Sequence, residues 1–474
     1  MQVSGSDPWD KQFETTPKEE EFHNATRVVL VTAFIFFTLY AASHTLIKRF
    51  RRKASNDEYF PDDDDGFVYR IPLWLCNFSL ATSFGAMILL PFSIFTNEFL
   101  LAYPKNYYMQ WLSSSLVHGL WNCVFFFSNI SLYILLPFAY LFTESEGLPH
   151  KKGLAGKVYE TTISLTLLSI VIVALVIVGA AILNMTDQSD KRTMDDIVFF
   201  YFPMLYSVMS FIGTAFHLIC TPIGFATIFT VMGRIITKPQ STKDLEDAYL
   251  VNQFIVADIN RKLEYNMENK LLNGYSPEKM YHQLEQTRKE QRQIDRTLKM
   301  SHWRLYLGYP LAMIILLLLT AASVFMISIN VFGLLVGTSS LPFVESEDST
   351  SLGKDSLSQL GLFGAAIEII LIIYFMLSSL LGFYNLPLLN QLLPKDGDTP
   401  LHKIILNCVT LLVLSSALPL FVRTLGLTKF DLLGNFGRLN WLKSFSIVLV
   451  YNVSFAIATG WCLANKHSLE LLLE

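Results

Sequence analysis

Long apolar stretches alternate with short polar joints along almost the whole chain, and one hydrophilic island interrupts the series. Nine stretches reach the roughly 20 residues that an α-helix needs to cross a bilayer. They fall near residues 26–47, 71–95, 112–142, 162–183, 199–232, 305–332, 362–383, 403–422 and 445–463. The pattern predicts an all-α polytopic membrane protein with about nine transmembrane helices. The island, residues 234–304, is mixed in charge and rich in helix formers. The chain thus divides into an N-terminal segment (1–25), a first membrane bundle of five spans (26–233), the island, a second bundle of four spans (305–464) and a tail (465–474).

Lys and Arg accumulate in cytoplasmic loops, and this sets the expected orientation. Lys48, Arg49, Arg51, Arg52 and Lys53 follow the first span directly, Lys151, Lys152 and Lys157 follow the third, and Arg288, Lys289, Arg292, Arg296 and Lys299 crowd the end of the island. These three places share one side of a nine-span chain. The expectation is N-terminus outside, C-terminus and island in the cytosol. One joint resists it: Arg423, Lys429, Arg438 and Lys443 stand against Asp431 alone between spans eight and nine, on the outer side. That joint is amphipathic enough to lie in the membrane interface. Residues 1–25 carry no basic region, short apolar core and small-residue cleavage site in sequence, so a cleaved signal peptide is not expected. Asn97 and Glu98, with 106–111 (NYYMQW), read as the outer joint after span two.

Several spans exceed the necessary length and must tilt, kink or run on along the interface. Pro91, Pro137, Pro203, Pro222 and Pro419 are expected in or near span ends, where a missing backbone N–H costs least. Ala81 and Gly85, small residues four apart, would permit close helix contact within the chain or between copies. The segments 89–98 (LLPFSIFTNE) and 135–146 (LLPFAYLFTESE) echo each other, either through internal duplication or as a recurring way to end a span.

Composition agrees with membrane embedding: 52% hydrophobic, 16% charged, mean hydropathy +0.40 and 37 Phe. A net charge of −4 and a pI near 6.2 offer no basic footprint for nucleic acid. The five cysteines, Cys76, Cys123, Cys220, Cys408 and Cys462, all lie in or beside apolar spans, which excludes a disulfide-stapled outer domain. They read as packing residues, or as S-acylation sites where they approach the cytosolic leaflet.

No catalytic signature holds. HExxH and GxSxG are absent, Gly156-Lys157 precedes Val158 where a P-loop requires Ser or Thr, and 62–73 lacks the ligand spacing of an EF-hand. Neither an enzyme nor a cofactor or metal is expected. Ionisable groups in lipid are costly, so His118 in span three, His217 in span five and Glu368 in span seven are candidates, with Asn122 on the face of His118. A transporter would use them as a relay. A receptor or scaffold would use them for interhelical hydrogen bonds. In the island, Leu284, Gln291 and Leu298 recur every seven residues around Ile294, predicting an amphipathic or coiled-coil helix that packs on its own chain or binds cytosolic partners. Tyr281 and Leu284 match a Tyr-x-x-apolar sorting signal, which requires an extended backbone.

Read together, LPFSIFTNE, NYYMQWL, HGLWN, LPFAYLFTESEG, CTPIGFA, LGYPLAM and above all 415–442 (SSALPLFVRTLGLTKFDLLGNFGRLNWL) resemble the limb-region membrane protein and lipocalin-interacting membrane receptor family. The likeness runs from the first span to the ninth. It implies a plasma-membrane protein with an outer N-terminus, a central cytosolic loop of coiled-coil character, and receptor roles: binding and internalising a secreted lipocalin-type protein and modulating developmental signalling. Outer-joint residues Arg423, Lys429, Asp431 and Arg438 are the candidate ligand contacts. The island is the candidate platform for cytosolic trafficking or signalling proteins.

Overall fold

The structure, a computed structural model, describes residues 17–52, 63–103, 114–145, 154–182, 194–236, 242–268, 277–298, 308–336, 362–387, 389–428 and 445–465. The helices are α1 (Pro17–Phe50), α2 (Asp63–Ala102), α3 (Ser114–Ile130), α4 (Leu136–Glu144), α5 (Leu154–Ile182), α6 (Met194–Ile236), α7 (Thr242–Glu268), α8 (Pro277–Leu298), α9 (Tyr309–Val336), α10 (Leu362–Asn385), α11 (Leu401–Thr424) and α12 (Phe445–Ala464). A π-turn at Ser131–Leu135 joins α3 to α4. Its cause is Pro137, which has no N–H to return to the preceding turn, so the ladder widens just before it. Among the described residues nine helical segments are long and apolar enough to cross a membrane, the third being Ser115–Glu144 through the π-turn.

Two compact units emerge: Met1–Phe225 with Ser323–Glu474, and Ala226–Ala322. In the first, α11 is the central stave. Of its most apolar stretch 78% is buried, against 22% in α9 and 11% in α5. It packs along α2, and α2 packs along α1, α3 and α4. Ile47 of α1, Leu73, Cys76 and Leu80 of α2, Leu136 and Ala139 of α4, and Leu401, Ile405, Cys408 and Leu412 of α11 form a core at one end of this packing. Cys76, Cys220, Cys408 and Cys462 are all buried between helices, so they pack rather than present themselves for acylation. Large apolar residues face outward where soluble proteins place charge. Phe34 is 73% exposed, Phe363 81% and Leu167 67%, as expected of lipid-facing surface.

The basic run after α1 folds back onto the joint that precedes α11. Thr399 N–H donates to the Phe50 carbonyl (3.1 Å), Arg52 N–H to the Thr399 carbonyl (3.1 Å) and Gly397 N–H to the Arg49 carbonyl (3.1 Å). Arg49 pairs with Asp396 at 3.1 Å and Arg52 with Asp398 at 3.0 Å. Both pairs are exposed and contribute little energy, but the backbone bonds set register. This clasp places the joint after span one and the joint between spans seven and eight on the same side of the membrane, as alternation of the spans requires.

Two local expectations are corrected. Asn97 and Glu98 do not stand in an outer joint: α2 continues to Ala102 and both residues are 4% exposed. Pro91 and Pro222 are not near helix ends either, since α2 runs on to Ala102 and α6 to Ile236. The echoed segments also differ in setting, because Glu98 is buried whereas Glu144 is exposed.

Within the second unit, which also takes in the end of α6 and the start of α9, α7 and α8 form a polar helical hairpin. α7 packs along α8, with Leu263 and Leu284 each 7% exposed between them. The predicted amphipathic helix of the island is therefore present, and α7 is its packing partner.

Candidate functional site

The intramembrane polar residues are organised as pairwise ties between helices. His217 of α6 is fully buried and uses both ring nitrogens. Nε2 lies 3.0 Å from the Leu414 carbonyl of α11, which can only accept, so Nε2 carries the proton. Nδ1 then accepts from the Ser379 hydroxyl of α10 at 2.8 Å, and Thr221 of α6 lies 2.6 Å from the same hydroxyl. Phe421 stacks on the imidazole at 4.4 Å with planes 11° apart. The neutral ring thus joins three helices.

Other ties follow the same logic. Tyr206 of α6 donates to the Ser416 carbonyl (2.8 Å), and Tyr451 of α12 to the Thr214 carbonyl (3.0 Å). Tyr384 of α10 donates to Asn407 Oδ1 (2.9 Å), while Asn407 Nδ2 donates to the Leu392 carbonyl (2.8 Å). Trp121 Nε1 donates to Ser93 at 2.9 Å. At the C-terminus of α11, Asn452 Nδ2 donates to the Thr424 and Val448 carbonyls (3.0 and 2.9 Å), and its Oδ1 accepts from Asn330 of α9 (3.1 Å). Gly426 follows with φ +74° and the Asn330 amide seated against it. A side chain there would meet both a left-handed backbone and that amide. Gly426→Ala is therefore expected to destabilise the protein by about 1–2 kcal/mol, read as a lower midpoint of thermal unfolding in detergent.

The relay candidates are not assembled into one site. Glu368 is 1% exposed on α10, on the face of Leu371, Ile372 and Phe375, but it lies about 16 Å along the helix axis from Ser379, the partner of His217. His118 is half-buried on α3 and Asn122 is exposed. Their helix meets α6 through Phe125 and Tyr206 (4.6 Å), and Tyr206 precedes His217 by about 16 Å of helix. Of the outer-joint candidates, Arg423 is 7% exposed in the last turn of α11, whereas Lys429, Asp431 and Arg438 lie outside the described residues.

In the hairpin, Tyr281 and Leu284 occupy one turn of α8, with Tyr281 52% exposed and Leu284 buried. The extended backbone of a sorting signal is not present there. Lys289 hydrogen-bonds Glu285 at 3.0 Å and holds its carboxyl below the usual range.

Several residues of this arrangement were not singled out from the sequence. Ser379, Thr221 and Asn330 are unremarkable polar residues in apolar runs, and only tertiary register reveals their partners. Glu98 was assigned to a joint because a charge beside Asn97 resembles the end of a span. Its Oε1, with Thr96 Oγ1 and Asn97 Nδ2, is buried without a hydrogen-bond partner among the described residues. The close helix contact did leave a signal. Cys220 and Gly224 in α6, and Ser378 and Gly382 in α10, repeat the small-residue spacing of Ala81 and Gly85. A Cβ on Gly85 would meet only Leu39 and Val124 side chains, at 3.7 and 3.9 Å, whereas Gly224 and Gly382 abut the facing helix backbone.

Comparison with known proteins matches the chain to the family described as LMBR1-like membrane protein over residues 28–278 and 265–467. Human Protein LMBR1L is 45% identical over 458 residues, covering 96% of this chain and 92% of the relative. The Limb region 1 protein homologs of chicken and human are each 43% identical, covering 96% of this chain and 91% of the relative. No solved structure matches.

Proposed function

We propose, from the premise that this chain belongs to the LMBR1-like membrane protein family, that it is a plasma-membrane receptor or signalling scaffold. Its outer joints, 344–360 and 423–443, engage a secreted protein of lipocalin type, and its hairpin recruits cytosolic trafficking or signalling proteins. It carries out no catalysis. The observation that supports this reading is how His217 is used: both nitrogens are consumed in interhelical bonds, so the most deeply buried titratable ring serves packing rather than a moving proton. The hairpin adds a second support. On α7 Leu250, Val251, Phe254 and Ile255 are all exposed, with Phe254 at 75%, which is the kind of surface that protein partners cover.

The test is antibody access in cells to one tag within 345–355 and another near Asn273. The loop tag should stain intact cells, and the hairpin tag only permeabilised ones. Staining of both tags only after permeabilisation would overturn the surface-receptor reading in favour of an internal membrane protein. In the same cells, replacing 276–300 with a flexible linker should abolish recovery of cytosolic partners. Unchanged recovery would remove the hairpin's scaffold role.

A further inference from the structure

One cavity lies away from the intramembrane ties. On α8 a groove of about 310 Å³ is lined by Tyr281, Leu284, Glu285, Arg288, Lys289 and Arg292. Its floor is the buried Leu284, and three cations and one phenol stand around it. The single carboxylate, Glu285, is committed to Lys289 at 3.0 Å. Arg49, Arg52, Lys262 and Lys289 each hold a carboxylate, while Arg288 and Arg292 form no ion pair within 4 Å among the described residues, Arg292 adding only a weaker pull on Glu285. These two arginines are four apart, so their guanidinium groups lie one turn from each other on a single helix face.

We propose that this groove binds the phosphorylated headgroup of an anionic membrane lipid. Two planar guanidinium forks on successive turns match a phosphomonoester, which accepts bidentate hydrogen bonds. The Tyr281 hydroxyl supplies a further donor and Lys289 a further positive charge. Leu284 offers an apolar wall to the ring or glycerol carbons. The choice of a lipid over a dissolved anion or a phosphopeptide rests on chain connectivity. α6 leaves its apolar span and ends at Ile236, α7 begins at Thr242, and only residues 299–308 separate α8 from the apolar helix α9. The pair α7 and α8 is joined to apolar helices by residues 237–241 before it and 299–308 after it, so a groove on α8 stays at high effective concentration with respect to the membrane surface. Juxtamembrane Lys and Arg each contribute about 1 kcal/mol towards an anionic leaflet. This assignment goes beyond the receptor reading and does not depend on it.

The test uses the full chain in nanodiscs of phosphatidylcholine alone, titrated with water-soluble, short-chain phosphatidylinositol 4,5-bisphosphate. Inorganic phosphate and a phosphotyrosine peptide are titrated in parallel. The lipid should bind saturably. Arg288→Gln/Arg292→Gln should weaken it tenfold or more, and Glu285→Gln, which releases Lys289, should strengthen it two- to threefold. Arg261→Gln/Lys262→Gln, which removes the same charge from α7, should leave it unchanged. Equal loss in the two double variants would reduce the effect to bulk charge and overturn the site. Saturation by inorganic phosphate at the same concentration as the lipid would overturn the lipid assignment, and so would tighter binding of the phosphopeptide.

Discussion

Gly224→Ala and Gly382→Ala are each expected to strip the detergent-solubilised protein of most of its folded fraction, seen as loss of the monodisperse peak and a large fall in unfolding temperature. The reason is the crossing of α6 and α10. A Cβ on Gly224 would overlap the Ser378 carbonyl, and a Cβ on Gly382 would overlap the Cys220 carbonyl. The obstacle in both cases is helix backbone, which cannot rotate away as a side chain can. Relief requires the two helices to separate, and that loosens the stacked Phe225 and Tyr374 rings (5.3 Å, 9°) beside the crossing. Overpacking of a close-packed interior costs about 1–3 kcal/mol, and rigid backbone on both sides puts these substitutions at about 3 kcal/mol. Gly460→Ala is the control. A Cβ there meets nothing within 4 Å, so the helix gains about 0.5–1 kcal/mol of propensity. A crossing that tolerates alanine as readily as position 460 does would refute the close approach of α6 and α10.

The second large effect is expected at His217. Interhelical hydrogen bonds in membrane bundles average only about 0.6 kcal/mol, which alone would make the residue replaceable. His217→Ala removes more than bonds. It empties a fully buried ring site stacked on Phe421 and takes the ring N–H from the Leu414 carbonyl, while the Ser379 hydroxyl keeps the Phe375 carbonyl, 2.9 Å away, as an acceptor. Cavity and desolvation together raise the expected cost to about 3 kcal/mol. His217→Gln, which can still donate and accept, should cost less than half as much. Because Ser379 acts through the same ring, His217→Ala and Ser379→Ala should fall short of additivity by about 1 kcal/mol in a thermal-unfolding cycle. Full additivity would show that the two side chains stabilise the protein separately.

The spans were readable from the sequence because lipid imposes a one-dimensional test: about 20 apolar residues either run together or they do not. The amphipathic helix containing Leu284 was readable for a related reason, since its periodicity is local. What escaped was everything that depends on register between distant segments. His217 could be flagged as costly, but Ser379 and the Leu414 carbonyl could not be named as its partners. Arg49 and Asp396 lie 347 residues apart, and no local pattern couples them. Glu98 escaped for the opposite reason, because a local rule was applied too strictly: a charged residue near the expected length limit was taken to end the span, whereas α2 carries it into the interior. The groove on α8 was half visible. Its basic residues read as an orientation signal, but which of them hold a carboxylate is a property of side-chain geometry.

The clasp between the end of α1 and residues 396–399 also sets an order of assembly. During synthesis the first helix enters the membrane long before Asp396 and Thr399 exist. At about 5–20 residues per second the intervening stretch takes on the order of a minute or less to emerge. Throughout that interval the backbone groups at Arg49, Phe50 and Arg52 have no docking strand, and α11, the stave that buries Ile47 and Leu73, has not been made. The N-terminal helices must therefore persist as separately inserted elements whose final register is written last. Late truncations should leave them threaded through the bilayer yet unassembled, the kind of intermediate on which membrane quality control acts.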